Sequence, residues 1–264
     1  MKKTLFLICM LTLLSIVPVV QGQDVRVKCR NFTMNTTSGN VHCYQIEDNI
    51  PALMDTPEEL EKAQIANTAI YFSDFGALNS SIEPQVTFYS VDDLSRASFS
   101  FLTLVMTLTD QTNNLKTGDV AVESIIEAAS DIDPVTDIEE DDGELLTDGG
   151  FFTPDGLPFL PFQSSKQTVT ALPAFLEFNG GSGIRTITAF DSQISANGGN
   201  SNIYYSWQGV SDDGQYYISA VFPLRSLTLD GKSASDIDWA HFDGQDLQPS
   251  LNQLDSYIRS IVIE

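Results

Sequence analysis

Ile203-Tyr204-Tyr205-Ser206-Trp207-Gln208-Gly209, then Val210 and the four turn formers Ser211-Asp212-Asp213-Gly214, then Gln215-Tyr216-Tyr217-Ile218-Ser219-Ala220-Val221-Phe222-Pro223: this stretch decides the fold. Two runs rich in aromatic and β-branched residues flank a tight turn in which Gly214 is free to take positive φ. The pattern is an antiparallel hairpin. Upstream, Ala174 to Phe178 and Ile184 to Phe190 read as two further strands. Asn179-Gly180-Gly181-Ser182-Gly183 turns the chain between them, and Ala196 to Asn202 forms the loop before Ile203. Downstream, Leu247, Leu251, Leu254, Ile258 and Ile261 mark one face of a helix, and Val262-Ile263-Glu264 ends as a short strand.

The N-terminal half repeats the theme with weaker signals. Val25 to Cys29 and Val41 to Ile46 alternate as strands around a turn-rich Asn31 to Asn40. Thr56-Pro57-Glu58-Glu59 carries a capping residue, a first-turn proline and a capping-box glutamate, which start a helix running to about Ala66. Thr68 to Phe72 and Gln85 to Val91 read as strands joined through Gly76 to Glu83. Ser90 then caps a helix whose apolar positions are Leu94, Ala97, Phe101, Leu104, Val105 and Leu108, although Phe99, Phe101, Thr103 and Val105 also alternate as in a strand. Val120 to Ala129 forms a short helix. Asp131 to Gly150 is an acidic, exposed loop, and the proline-broken stretch Phe151 to Phe162 reads as a strap across the core, the alternative being an exposed recognition patch. Neighbouring strands with helices between and after them give an α+β fold: antiparallel β-sheet flanked by a few helices.

The first 22 residues are of another kind. Lys2 and Lys3 precede an apolar run from Leu5 to Val20, and Gly22 offers a small residue for cleavage. That is a secretory signal peptide, too short for a bilayer span. Cys9 lies inside the run after Ile8, so no lipid-modified cysteine is expected. The exported chain is then one α+β domain over residues 23–264, secreted or periplasmic. The whole chain has 13 basic and 36 acidic residues, net −23; without the two lysines it is 11 against 36, or −25. Such a charge repels nucleic acid and anionic membranes. Cys29 and Cys43 remain after cleavage, and in an oxidising compartment a lone pair forms a disulfide. With His42 they offer three metal ligands, one short of a structural zinc site.

From Leu157 to Phe222 the chain resembles a family of exported bacterial proteins, many of them lipoproteins or proteins of no assigned activity. The residues that carry it are Leu157-Pro158-Phe159-Leu160-Pro161, Phe178 to Arg185, Tyr204 to Gly209, and Asp212 to Pro223, with Glu83 to Val91 matching less closely. The resemblance implies no catalytic residue. The closing helix, Leu254-Asp255-Ser256-Tyr257-Ile258-Arg259-Ser260-Ile261, is similar to the end of PsbP/Mog1-like domains. That likeness implies an antiparallel sheet flanked by helices in a binding or assembly role.

The chemistry-bearing residues are few. Ser182 lacks the second glycine of a nucleophile elbow, and only His42 and His241 exist as bases. Gly181, Gly183 and Arg185 would suit an anion, although phosphate loops precede a helix and a strand is expected here. Asp137, Glu139, Asp141, Asp142 and Glu144 would suit calcium, although their spacing does not match an EF-hand. The expectation is an exported, non-catalytic binding or assembly module for an unknown protein or glycan. Alternatives are an extracellular hydrolase of glycans or peptides working through carboxylates, and a calcium-stabilised surface protein. Trp207, Tyr204, Tyr205, Tyr216 and Tyr217 separate them: lining a groove they suggest glycan contact, and packed inward they are core.

Overall fold

The computed structural model describes residues 25–46, 67–73, 82–97, 108–110, 112–116, 168–190, 193–196 and 201–264. Ten strands and two main helices follow in the order β1 (Val25–Cys29), β2 (Phe32–Thr36), β3 (Val41–Ile46), β4 (Asn67–Phe72), β5 (Gln85–Ser90), α1 (Val91–Ala97), β6 (Val169–Phe178), β7 (Gly181–Ala189), β8 (Ile203–Ser211), β9 (Tyr216–Pro223), α2 (Leu251–Arg259) and β10 (Val262–Ile263). They form a seven-stranded sheet, β3-β4-β5-β9-β8-β7-β6, and a three-stranded sheet, β1-β2-β10. The ladders between these strands are antiparallel, and a single parallel bridge joins Asn179, just after β6, to Val262 of β10. The α+β expectation holds, with sheet predominating. The expected helices over 56–66 and 120–129 and the strap over 151–162 lie outside the described residues. No helix among the described residues is long and apolar enough to cross a membrane.

The register explains how the large sheet holds together. One row runs across all seven strands: Cys43, Ile70, Val86, Ala220, Trp207, Arg185 and Ala174 lie side by side. The rows beside it add Phe88, Ile218 and Leu176 on one side and Phe222, Tyr205, Ile187 and Ala171 on the other. This face is mainly apolar and packs on Leu254, Tyr257, Ile258 and Ile261 from α2 and its exit. The opposite face is mixed. Tyr204 and Val221 cluster with Ile82 and Phe190, while Thr87, Ser206, Gln208 and Ser219 form a buried polar strip. Buried polar groups need partners, and here they find them: Tyr217 hydrogen-bonds Gln208, Gln208 Nε2 donates to Ser206 Oγ at 3.4 Å, and Thr87 Oγ1 donates to Gln85 Oε1 at 3.1 Å.

Local chemistry fixes the ends. Gly214 takes φ +69 in the β8–β9 turn, where Asp213 accepts from Ser211 Oγ at 2.5 Å and from the Gln215 amide at 3.0 Å. Ser90 Oγ accepts the Asp93 amide and caps α1. Ser250 does the same for α2 through Gln253.

Three expectations are corrected. Asn31 to Asn40 is not all turn, because Phe32–Thr36 is the central strand of the small sheet, pairing β1 on one side and β10 on the other. The strand expected from Ala174 begins at Val169, crossing Pro173 through a bulge between Ala171 and Ala174. Gly181 to Gly183 belongs to β7, so the turn shrinks to Asn179-Gly180. A Cβ on Gly181 would lie 2.3 Å from the Phe178 ring, and one on Gly209 would lie 2.4 Å from the Trp207 ring. The rings occupy the space that side chains would fill, which is why these strand positions are glycine.

Cys29 and Cys43 form a disulfide, with Cα atoms 5.8 Å apart. It joins the end of β1 to β3, and so ties the small sheet to the large one. Replacing both cysteines by serine opens a loop of 15 residues, and a loss of about 3 kcal/mol is expected. Urea unfolding of the double variant against the oxidised parent measures it.

Candidate functional site

Among the described residues, charged groups meet below α2. Arg185 on β7 lies beside Trp207 on β8. Asp255 comes down from α2, with its Oδ1 3.7 Å from Arg185 Nε; their side chains are only 9% and 11% exposed. The Tyr205 hydroxyl donates to the same Oδ1 at 3.0 Å. Arg185 Nε and Nη1 and Trp207 Nε1 are buried without a hydrogen-bond partner among the described residues. The cluster therefore holds more donors than acceptors. Burial pushes the Tyr205 phenol well above its ordinary range. The Asp255 carboxylate adds to this by its charge and its hydrogen bond, and Arg185 and Arg259 oppose it.

Next to this cluster, the edge of the large sheet carries a groove of about 380 Å³ lined by Phe175, Leu176, Glu177, Phe178 and Arg259. β6 is the last strand of the sheet among the described residues. Asn179-Gly180 is a two-residue turn, so Phe178 and Gly181 close the hairpin as a hydrogen-bonded pair. Alternation then turns the Leu176 main chain toward β7, and the N–H and C=O of Phe175 and Glu177 outward into the groove. The same alternation sends the Asn179 amide outward, where it donates to the Ile261 carbonyl at 3.2 Å. The earlier part of the edge is blunted by Pro173, by the bulge, and by Leu172 at φ +51. Along β6, the end beside α2 is left as a regular open edge among the described residues.

Helix α2 is fixed over this edge from several directions. Leu254, Tyr257 and Ile258 are buried in the core. The Tyr257 hydroxyl lies 2.6 Å from Thr37 Oγ1, and Ser260 Oγ accepts the Asn35 amide at 2.8 Å. Arg259, exposed and one turn after Asp255, faces the groove.

The residues singled out from sequence fall in different places. Gly181 and Gly183 lie in β7, against the Phe178 ring and the β8 main chain respectively. Arg185 pairs with Asp255 across the core. Asp137, Glu139, Asp141, Asp142 and Glu144 lie outside the described residues. No group of three or more histidine, cysteine or acidic side chains suited to a metal ion occurs among the described residues. His241 Nδ1 contacts Asp238 Oδ2 at 2.8 Å on the exposed surface. His42 lies in β3 beside the exposed Tyr44. Trp207, Tyr204, Tyr205 and Tyr217 are packed inside, and Tyr216 is half-buried. Sequence reasoning missed the groove. Its one readable signal is Pro173 within a strand, since proline in a strand marks an edge or a bulge.

Two measurements check this arrangement. Asp255→Ala strands the buried Arg185 charge and is expected to cost about 3–5 kcal/mol in urea unfolding, while Asp255→Leu combined with Arg185→Met costs less than the single change. Raising the pH tests the phenols. Tyr205 and Tyr217 have folded pKa values raised mainly by burial, so their contribution is full below the unfolded value of about 10 and is lost as pH rises toward the folded values. Absorbance at 295 nm should show a late tyrosine phase that coincides with loss of the native fold. Comparison with protein-family models, with curated proteins and with solved structures gives no match to this chain.

Proposed function

We propose that this chain is an exported binding or assembly module that takes an extended segment of another protein along the open end of β6. The observation that carries this reading is the outward main chain of Phe175 and Glu177 beside α2. An edge with free donors and acceptors binds by adding a strand: main-chain hydrogen bonds supply affinity, and alternate side chains supply specificity. A protein partner fits better than a glycan, because four of the five aromatic residues that would contact sugar rings are packed inside. The plainer alternative is an edge that only meets water, which half-guarded edges commonly do.

A library of displayed random peptides, selected on the purified chain, tests the reading. Enriched peptides are expected to bind the parent and to lose about tenfold or more in affinity on Phe175→Pro, which removes one outward donor (each tenfold being 1.4 kcal/mol). The variant's melting temperature, kept within a few degrees, shows that the fold is intact. No enrichment, or enrichment indifferent to Phe175→Pro, would overturn it.

A further inference from the structure

The groove has a charge on each side of the strand it would receive, and the two are opposite. Leu176 and Phe178 point to the face that packs on α2, since both belong to the core cluster that includes Leu254 and Ile258. Glu177 lies between them, so it points to the other face and is exposed. Arg259 enters the groove from α2, on the first face. Neither Glu177 nor Arg259 has an ion pair among the described residues. Side chains of an added strand alternate between the same two faces. A side chain on the α2 face meets a guanidinium, and its neighbour on the opposite face meets a carboxylate.

Resting on the binding reading above, we infer that the partner is an extended protein segment in which acidic and basic residues alternate, the acidic ones toward Arg259 and the basic ones toward Glu177. Long-range charge excludes one alternative, a wholly acidic segment drawn to Arg259 alone. A chain of net charge −23 repels an acidic segment before contact. An alternating segment has no net charge, so it escapes that repulsion and feels the two local charges inside a Debye length of about 8 Å at physiological salt. The hydrogen-bonding edge is short, because the bulge and Pro173 end it upstream and the Asn179–Ile261 contact ends it downstream. A segment of about four to six residues fills it, and binding is weak and dependent on both charges.

The probe is a capped hexapeptide alternating glutamate and lysine, set against its block isomer of three glutamates followed by three lysines. Composition and net charge are the same, and only the face on which each charge falls differs. Hydrogen exchange on the purified chain reads the site through the outward amides of Phe175 and Glu177. The alternating peptide is expected to protect both amides and to bind about tenfold tighter than the block isomer. Arg259→Glu, which makes both sides acidic, is expected to abolish the preference while keeping the melting temperature within a few degrees, the cost of reversing the last-turn charge of α2. Equal binding of the two isomers would overturn the charge rule. If displayed peptides still need Phe175 in that case, the binding reading survives; if neither experiment shows binding at the edge, both fall. Sedimentation at rising concentration gives the third arm. Self-association that protects Phe175 and Glu177 without peptide would make a second copy of this chain the occupant and would overturn the proposal.

Discussion

Strand β8 has no exposed residue: every position from Ile203 to Ser211 is buried. A strand buried on both faces must have neighbours on both edges and cover above and below, and the rest of the molecule supplies them. β7 and β9 take the edges in full register. On one face Tyr205 and Trp207 lie under α2, and on the other Tyr204, Gln208 and their neighbours are enclosed. Each large aromatic side chain buried here removes about 150–250 Å² from water, or about 5 kcal/mol at 25 cal/mol/Å². That is a large term beside the net stability of a domain. The C-terminal helix exists to a large degree because this strand must be covered. Nine residues are too few to hold a helix in water unaided, and the buried side of α2 supplies what propensity does not.

Much of this was legible because it is local. The β8–β9 hairpin shows itself through alternation and turn chemistry, and the capping serine of α1 through its spacing to Asp93. What stayed hidden depends on partners distant in sequence. Phe32–Thr36 looks like a turn because Asn and Thr dominate Asn31 to Asn40. It becomes the central strand of the small sheet because β1 folds back on it through a tight turn and β10, more than 200 residues later, takes its other edge. Gly181 and Gly183 look like turn residues because glycine usually is one. They are strand residues because Phe178 and the β8 main chain fill the space above them. In both places tertiary contact overrides a local preference of less than about 1 kcal/mol per residue.

The site was harder to read for the same reason. Arg185 stood out as a lone cation after glycines, and its pairing with a carboxylate is natural in a chain with 36 acidic residues. Nothing in the sequence selects Asp255, 70 positions away, from the other candidates. Two physical demands select it: the carboxylate must lie on the buried side of a helix, and that helix must cross β7 and β8. Glu177 and Phe175 carry no sequence signal at all. Their importance comes from being the residues on which a two-residue turn and an upstream bulge leave the main chain facing outward.

The core and the groove are mechanically one object. Asp255 is held by Arg185 and Tyr205, and Arg259 lies one turn further along the same helix. Whatever fixes the rotation and depth of α2 therefore also fixes where Arg259 stands relative to the edge of β6. A buried ion pair is a weak source of net stability, since desolvation offsets most of its attraction. A helix turned by one residue would leave these two buried charges apart. The acidic surplus makes the choice of charges asymmetric as well: a buried arginine finds a carboxylate nearby in almost any packing, whereas a buried carboxylate has few cations to meet. With Arg185 on the sheet and Asp255 on α2, the pair ties the position of the helix to the sheet, and Arg259 on the same helix lines the groove.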